Sequence, residues 1–231
     1  MPDSLEGPPA TLDRDLEVEP DDWQGRAFYF LMNALVIPRP IGWISTVSAS
    51  GVRNLAPYSH FNLMGSNPFY LAFASTGVKD SLANLRQVPE LVANIVSLQL
   101  LERMNFTSCD FPPEEEEFGW AGLTPLPAAK VRPPRVGEAK AHLECEVKHI
   151  YTDGAANIVI ARILHAHVDR SVWRNGRVDP VLLDPACRLA GSSYARLGEL
   201  VNVQRPEWKN VQGTEGQQAM PREERRPRAA E

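Results

Sequence analysis

Pro57 interrupts a run that otherwise reads as a β-strand. It stands in "RPIGWISTVSASGVRNLAPYSHFN", residues 39–62, where two apolar runs flank the turn "SASG". Gly51 can supply the left-handed residue that closes a bulged hairpin. Proline has no N–H to give a ladder, so the second run belongs at a sheet edge or a bulge. The strand chemistry is also unusual. Ser45, Thr46, Ser48, Ser59 and Asn62 put hydroxyls and an amide where a half-buried strand normally carries aliphatic side chains.

The rest of the chain supplies short strands at hairpin-like spacing. "PFYLAFAS" (68–75), "ELVANIVSL" (90–98), "AHLECEVKHIYTD" (141–153) and "IVIARILHAHVDRSV" (158–172) each carry strand patterning. In 141–153 the alternation puts Leu143, Cys145 and Val147 on one face. "GAAN" and "RNGR" (174–177) mark turns. Helical spacing is confined to "DDWQGRAFYFLMNAL" (21–35), which opens on acids, to "KDSLANLRQV" (79–88), where Asp80 or Ser81 is the expected N-cap, and to a turn or two in "LERMNFTSC". The expected fold is mainly β with α decorations, a six-stranded antiparallel barrel. Strands and helices do not alternate as a doubly wound parallel sheet requires, and neither GxGxxG nor GxxxxGK[ST] occurs. Proline, 20 residues in all, gathers near the two termini and around 112–134. We expect tails at 1–20 and 206–231, with one domain over 21–205.

A net charge of −5 lacks the basic stripe of a nucleic-acid partner. No run of about 18 apolar residues is long enough to span a membrane. Cys109, Cys145 and Cys187 are odd in number and widely spaced, which gives neither a metal pair nor a disulfide framework. A soluble, cytoplasmic protein is the expectation.

Lys79 ahead of a helix start places a cation beside free backbone N–H groups, with the Ser81 hydroxyl nearby, a combination suited to phosphate. The four glutamates of "PPEEEEFGWAG" (112–122) read as a solvated helix start rather than a metal site. His165 and His167 share one strand face without an evident third ligand. Arg39 is either an anion ligand or the partner of an acid such as Glu90.

"RPIGWISTVSASGVRNLAPYSHFN", "NPFYLAFAS", "KDSLANL" and "ELVANIVS", followed by "MNFTSCDFPPEEEEFGWAGLTPLP" and "RVDPVLLDPACRLAGSSYARLGE", occur in an order that resembles the flavin reductase-like flavoproteins, and most of all their flavoprotein oxygenase branch. The resemblance covers roughly residues 25–200. It implies a six-stranded Greek-key split barrel, a homodimer, and FMN bound noncovalently near the subunit interface. By the same resemblance Ser45, Thr46, Val47 and Ser48 line the ribityl and phosphate side. Ala56, Pro57, Tyr58, Ser59 and Asn62 lie along the isoalloxazine edge, and Lys79, Asp80 and Ser81 receive the phosphate, Asp80 as a helix cap. Gly191 and Tyr194 belong to a C-terminal block near the flavin. His60 stands where an aromatic is expected, and either fills that space or offers a proton near N5. The implied activity is hydride transfer from NAD(P)H to flavin N5, with a small-molecule acceptor and no side-chain nucleophile. The alternatives are a flavin-dependent oxygenase or its electron-transfer partner, and a noncatalytic FMN-binding redox sensor.

Overall fold

The computed structural model describes residues 18–20 and 26–208. Helix α1 (Ala27–Leu35) leads into β1 (Arg39–Pro40), β2 (Gly42–Val47), β3 (Arg53–Tyr58), β4 (Phe61–Ser66) and β5 (Phe69–Thr76). Then follow α2 (Asp80–Gln87), β6 (Glu90–Ile95), α3 (Leu101–Phe106), α4 (Glu117–Trp120), β7 (Pro125–Leu126) and β8 (Arg135–Val136). The long strands β9 (Ala141–Asp153) and β10 (Ala156–Val168) precede β11 (Trp173–Arg174), β12 (Arg177–Val178), α5 (Pro180–Leu183), β13 (Cys187–Arg188) and β14 (Tyr194–Ala195).

The principal sheet has seven strands, one more than the expected six, in the order β3-β2-β6-β9-β10-β5-β4. Every neighbouring pair is antiparallel. The extra strand is β4, which the sequence presented as the tail of the opening hairpin.

β3 and β4 lie at opposite edges of this sheet, yet only Ser59 and His60 join them. Six inter-strand spacings of ~4.8 Å would separate the edges of a flat sheet by ~29 Å, while three Cα steps of ~3.8 Å reach ~11 Å. The sheet therefore curls until its edges almost meet. Across that seam the Tyr58 and Phe73 rings lie 4.6 Å apart, while the Ala74 N–H to His60 O bond at 2.8 Å extends the β4–β5 ladder to the turn. The seam is close at Gly42 too, where a Cβ would fall 2.4 Å from Phe61 Cδ2.

β2 is buried along its whole length because each face meets a core of its own. Trp43 packs with Leu55, Val96, Met104, Phe118 and Val136. Ile44, next in sequence and on the opposite face, packs with Leu71, Phe73, Leu82, Leu85 and Leu91. Full burial of a side chain such as Ile44 contributes roughly 1.5–3 kcal/mol. The Trp43 indole N–H is satisfied by Thr107 Oγ1 at 2.8 Å.

Strand β9 carries the predicted face: Leu143, Cys145 and Val147 turn into the second core, and burial pushes the Cys145 thiol well above its usual range. His142 and Glu144 are buried on the other face. Glu144 accepts the Ala129 and Lys130 N–H groups at 2.8 and 2.6 Å and meets His167 Nε2 at 2.5 Å. Burial alone would raise this carboxyl, but those hydrogen bonds and His167 outweigh it and hold the pKa below the ordinary value. Glu144, held by His167, thus braces the main chain at Ala129 and Lys130.

The chain divides into two units, Met1–Leu197 and Gly198–Glu231. In the second, residues 198–207 carry no helix or strand. The tails expected at 1–20 and 206–231 fall, apart from residues 18–20 and 206–208, outside the described residues, as do the acids at 21–22 expected to open α1.

Candidate functional site

Pro57 is on an edge strand, as its chemistry requires, and that edge is closed. The outward amides of β3 are those of Arg53 and Leu55, and each finds a carboxylate. Arg53 N–H donates to Glu116 Oε1 at 3.2 Å, and Leu55 N–H to Glu117 Oε2 at 2.9 Å. Pro57 is the next position of the same parity and has no N–H to satisfy. Two of the four consecutive glutamates therefore seal a sheet edge. Glu116 also pairs with the Arg53 guanidinium, which holds its carboxyl below the usual range. Glu117 is 5% exposed, and burial, with Asp80 and Glu116 contributing, pushes its carboxyl above the usual range.

The hydroxyls of β2 do not face an open margin, because β2 is paired with β3 on one side and β6 on the other. Ser45 Oγ donates to Pro134 O at 2.5 Å inside the protein. Thr46 is fully buried and receives the Asn84 Nδ2 hydrogen bond at 3.1 Å. Val47 is buried, and Ser48 closes the hairpin turn by accepting the Val52 N–H at 3.0 Å.

Beneath the start of α2 lies a chain of polar groups. The Asn54 amide is satisfied when its nitrogen faces Glu117 Oε1 at 3.2 Å and its oxygen faces Ser81 Oγ at 2.9 Å and Thr46 Oγ1 at 3.2 Å. Ser81 is buried, and the Tyr58 hydroxyl next to Ser75 and Ser81 has no hydrogen-bond partner of ordinary geometry. Burial raises the Tyr58 pKa.

The N-cap of α2 is Lys79, in extended conformation, with no side chain capping the first turn. Asp80 and Ser81 fall inside the helix, so neither is the cap that the sequence suggested. The first N–H groups are left open beside the Lys79 ammonium. Lys79 Nζ lies 3.2 Å from Asp110 Oδ1, both side chains more than half exposed, so the pair holds weakly. Lys79, Asp80 and Ser81 share a concavity with Asn54, Ser108 and Glu117.

A second concavity is lined by Pro57, Ser59, Arg39, Asn105, Arg188 and Tyr194 among others. Ser108 lines both, so the two adjoin at the end of α3. Gly191 also lines this second space, as the C-terminal block suggested. Ala56 is half-buried on β3. Asn62 is exposed on β4, its Oδ1 accepts the Leu63 N–H at 2.8 Å, and it lines a groove with Phe61, Met64 and Ile158 that shares Arg39 and Ser59 with the second concavity and so adjoins it.

Among the described residues Arg39 meets no acid. Glu90 pairs with Arg132 instead, and Arg39 donates to Asn33 O at 2.6 Å, Val36 O at 2.8 Å and Leu189 O at 2.9 Å. His60 Nε2 lies 3.2 Å from Asn33 Oδ1. Partial burial, then the nearby Arg39 charge, lowers the His60 pKa, which favours neutral imidazole. Among the described residues no cluster of His, Cys, Asp or Glu is arranged to hold a metal ion, and no helix is long and apolar enough to cross a membrane.

Asn54, Ser108, Glu117, Asn105 and Arg188 did not stand out in the sequence as site residues. Each lies in a family-like block, but only the fold brings those blocks to one seam.

An antiparallel barrel, split along a seam where an uncapped helix tip adjoins a cation-lined cavity, defines a class of small-molecule-binding β-proteins. Residues 32–182 match the flavin reductase like domain family, and the chain belongs to that family. By class it is a flavin-dependent oxidoreductase. An uncharacterised protein of Halalkalibacterium halodurans is 34% identical over 203 residues, which are 83% of this chain and 97% of that one. The crystal structure of nitrilotriacetate monooxygenase component B from Bacillus cereus is similar with a TM-score of 0.78 at 31% identity, covering 83% of this chain and 100% of that one. That of 2-nitrobenzoate 2-nitroreductase from Pseudomonas fluorescens is similar with a TM-score of 0.77 at 27% identity, covering 83% and 96%.

Proposed function

We propose that the protein binds FMN without a covalent bond and acts as a reductase that takes hydride from reduced nicotinamide. The observation that carries this reading is the uncapped start of α2 beside Lys79, adjoining through Ser108 the cavity along Pro57 and Ser59. The donor set fits a phosphomonoester joined to a flat polar ring. In this assignment the first N–H groups of α2 and the Lys79 ammonium hold the phosphate, Lys79 exchanging its weak contact with Asp110 for a dianion. Ser81 is fixed from below by Asn54, and Thr46 supports Asn54. Ala56, Pro57, Tyr58 and Ser59 border the ring, with Tyr194 and Gly191 on the opposite wall. Ser45, Val47 and Ser48 act through the fold, and Asp80 tempers the phosphate site. Asn62 lines the groove that adjoins this cavity through Arg39 and Ser59, at the rim of the ring site.

When bound, FMN supplies a ring that accepts hydride at N5, and the chain's own groups orient it, shield it and balance its charge. Neutral His60 does not offer a proton. The electron donor is NADH or NADPH, and the acceptor is a small molecule. Anaerobic titration of the FMN-loaded protein with each nucleotide tests this: loss of the yellow absorbance with one equivalent supports a reductase. The 31% identity to a monooxygenase component favours a second reading, an electron-transfer partner of an oxygenase. It predicts the same bleaching, with reoxidation accelerated by the oxygenase subunit. Stoichiometric FMN without bleaching would instead indicate a redox sensor.

The reading includes a homodimer. β4 is an edge strand on which Leu63 and Met64 are half exposed, and Phe69 of β5 joins them. An uncovered apolar edge of this kind invites pairing. Light scattering of wild type and of Leu63→Lys with Met64→Glu should give a dimer and a monomer, respectively.

A further inference from the structure

Among the described residues, the concavity between Pro57 and Tyr194 is lined by two guanidinium groups and no carboxylate. Its lining includes Arg39, Arg188, Asn33, Asn105, Ser59 and Ser108 as polar residues, and no Asp or Glu. This is unusual in a chain with net charge −5.

Arg39 is only 7% exposed. It donates to three main-chain carbonyls. Neutral carbonyls fix its position without neutralising it, and its Nε–H is buried with no partner. Three of the five guanidinium donors are thereby used. Arg188 donates to Gly191 O and lies over the Tyr194 ring at 4.4 Å. The Tyr194 hydroxyl is in turn held by Asn105 Oδ1 at 3.0 Å. Neither arginine forms an ion pair among the described residues. Burying the Arg39 cation without a counter-ion is unfavourable, and the half-buried Arg188 on the same cavity adds repulsion. Both are held in place before any ligand arrives, Arg39 by main-chain carbonyls and Arg188 by Gly191 O and the Tyr194 ring.

We propose that Arg39 and Arg188 form an oxyanion subsite that anchors the carboxylate or phosphate of the molecule exchanging electrons with the flavin. The inference rests on the FMN reading above, and extends it to the second ligand. A planar, fixed guanidinium pair suits a carboxylate or phosphate better than a mobile ammonium does. The ligand class is thus a small anionic donor or acceptor.

The test uses full-length protein with and without FMN, and FMN binding is measured first by its visible spectrum. Failure to take up FMN sinks the flavin reading alone, since calorimetry on the FMN-free protein still reads the subsite. Benzoate, its neutral counterpart benzamide, and inorganic phosphate are the probes. Benzoate should bind at least tenfold more tightly than benzamide. Arg188→Gln should lose that preference while binding FMN within twofold of wild type. Competition by phosphate at comparable concentration points to a phosphate-bearing ligand, and its absence to a carboxylate. Should Arg39→Gln fail to fold, Arg188→Gln and Arg188→Lys still decide the matter, the lysine variant restoring charge without the planar fork and recovering only part of the preference. Equal affinity for benzoate and benzamide, or an Arg188→Gln variant with unchanged benzoate binding, overturns the proposal. So does an equal loss of FMN and benzoate, which would assign the cations to the flavin itself.

Discussion

The Leu55 amide donates to Glu117 Oε2 at 2.9 Å, joining β3 to α4 across 62 residues of chain. The same carboxylate faces Asn54, whose oxygen orients Ser81. One buried acid therefore seals a sheet edge and fixes a residue at the start of α2.

Because burial raises the Glu117 pKa, folding favours its protonated form. Its stabilising contribution is full below the unfolded value of roughly 4.3 and is lost as pH rises through the folded value. Glu117→Gln keeps an acceptor for Leu55 and removes the charge. Thermal unfolding followed from about pH 4 to about pH 8 should show the variant gaining on wild type, by on the order of 1 kcal/mol at the upper end. A gap that narrows with rising pH would contradict the assignment.

Glu144 has the opposite sign. Its folded pKa is depressed, so its contribution is present above the unfolded carboxylate value and is lost as pH falls through the folded one. Glu144→Gln removes the anionic acceptor of Ala129, Lys130 and His167. A loss of about 2–4 kcal/mol in urea unfolding at neutral pH is expected, shrinking in acid.

FMN retention should respond to the cation at α2. Lys79→Ala is expected to weaken FMN about tenfold, the equivalent of ~1.4 kcal/mol, and with Ser81→Ala to release it. Asp110→Asn, which removes the Lys79–Asp110 ion pair, should tighten FMN several-fold at low salt and less at high salt. Equilibrium dialysis at two ionic strengths measures all three variants.

Gly42→Ala probes the seam. The new Cβ would lie within 2.4–2.8 Å of the Phe61 ring, which must move off the edge of β4. Destabilisation of about 1–3 kcal/mol is expected, and Gly42→Ala with Phe61→Leu should recover part of it. Additive losses in the double variant would place the strain elsewhere.

Residue chemistry alone determined much of this protein. The two-residue period of 141–153, the Asn175–Gly176 turn and the missing N–H of Pro57 are local facts. They gave a β9 strand with the right face inward, a β11–β12 hairpin and an edge strand. The Lys79–Ser81 helix start was legible for the same reason, although its cap is Lys79. The ordered blocks also carried the family. Local chemistry could not tell that β4 leaves β3 for the far side of the sheet, because the two-residue link permits either course and only closure of the barrel selects one. Nor could it separate hydroxyls serving a ligand from those serving a strand buried on both faces. Ser45 and Thr46 are of the second kind because β6 and α2 cover them. The pairing of Glu117 with Leu55, and the meeting of Arg39 with Arg188 from opposite ends of the chain, likewise belong to the tertiary structure. Charge and hydrogen bonding act through space, and the distances that set them exist only once the sheet has curled.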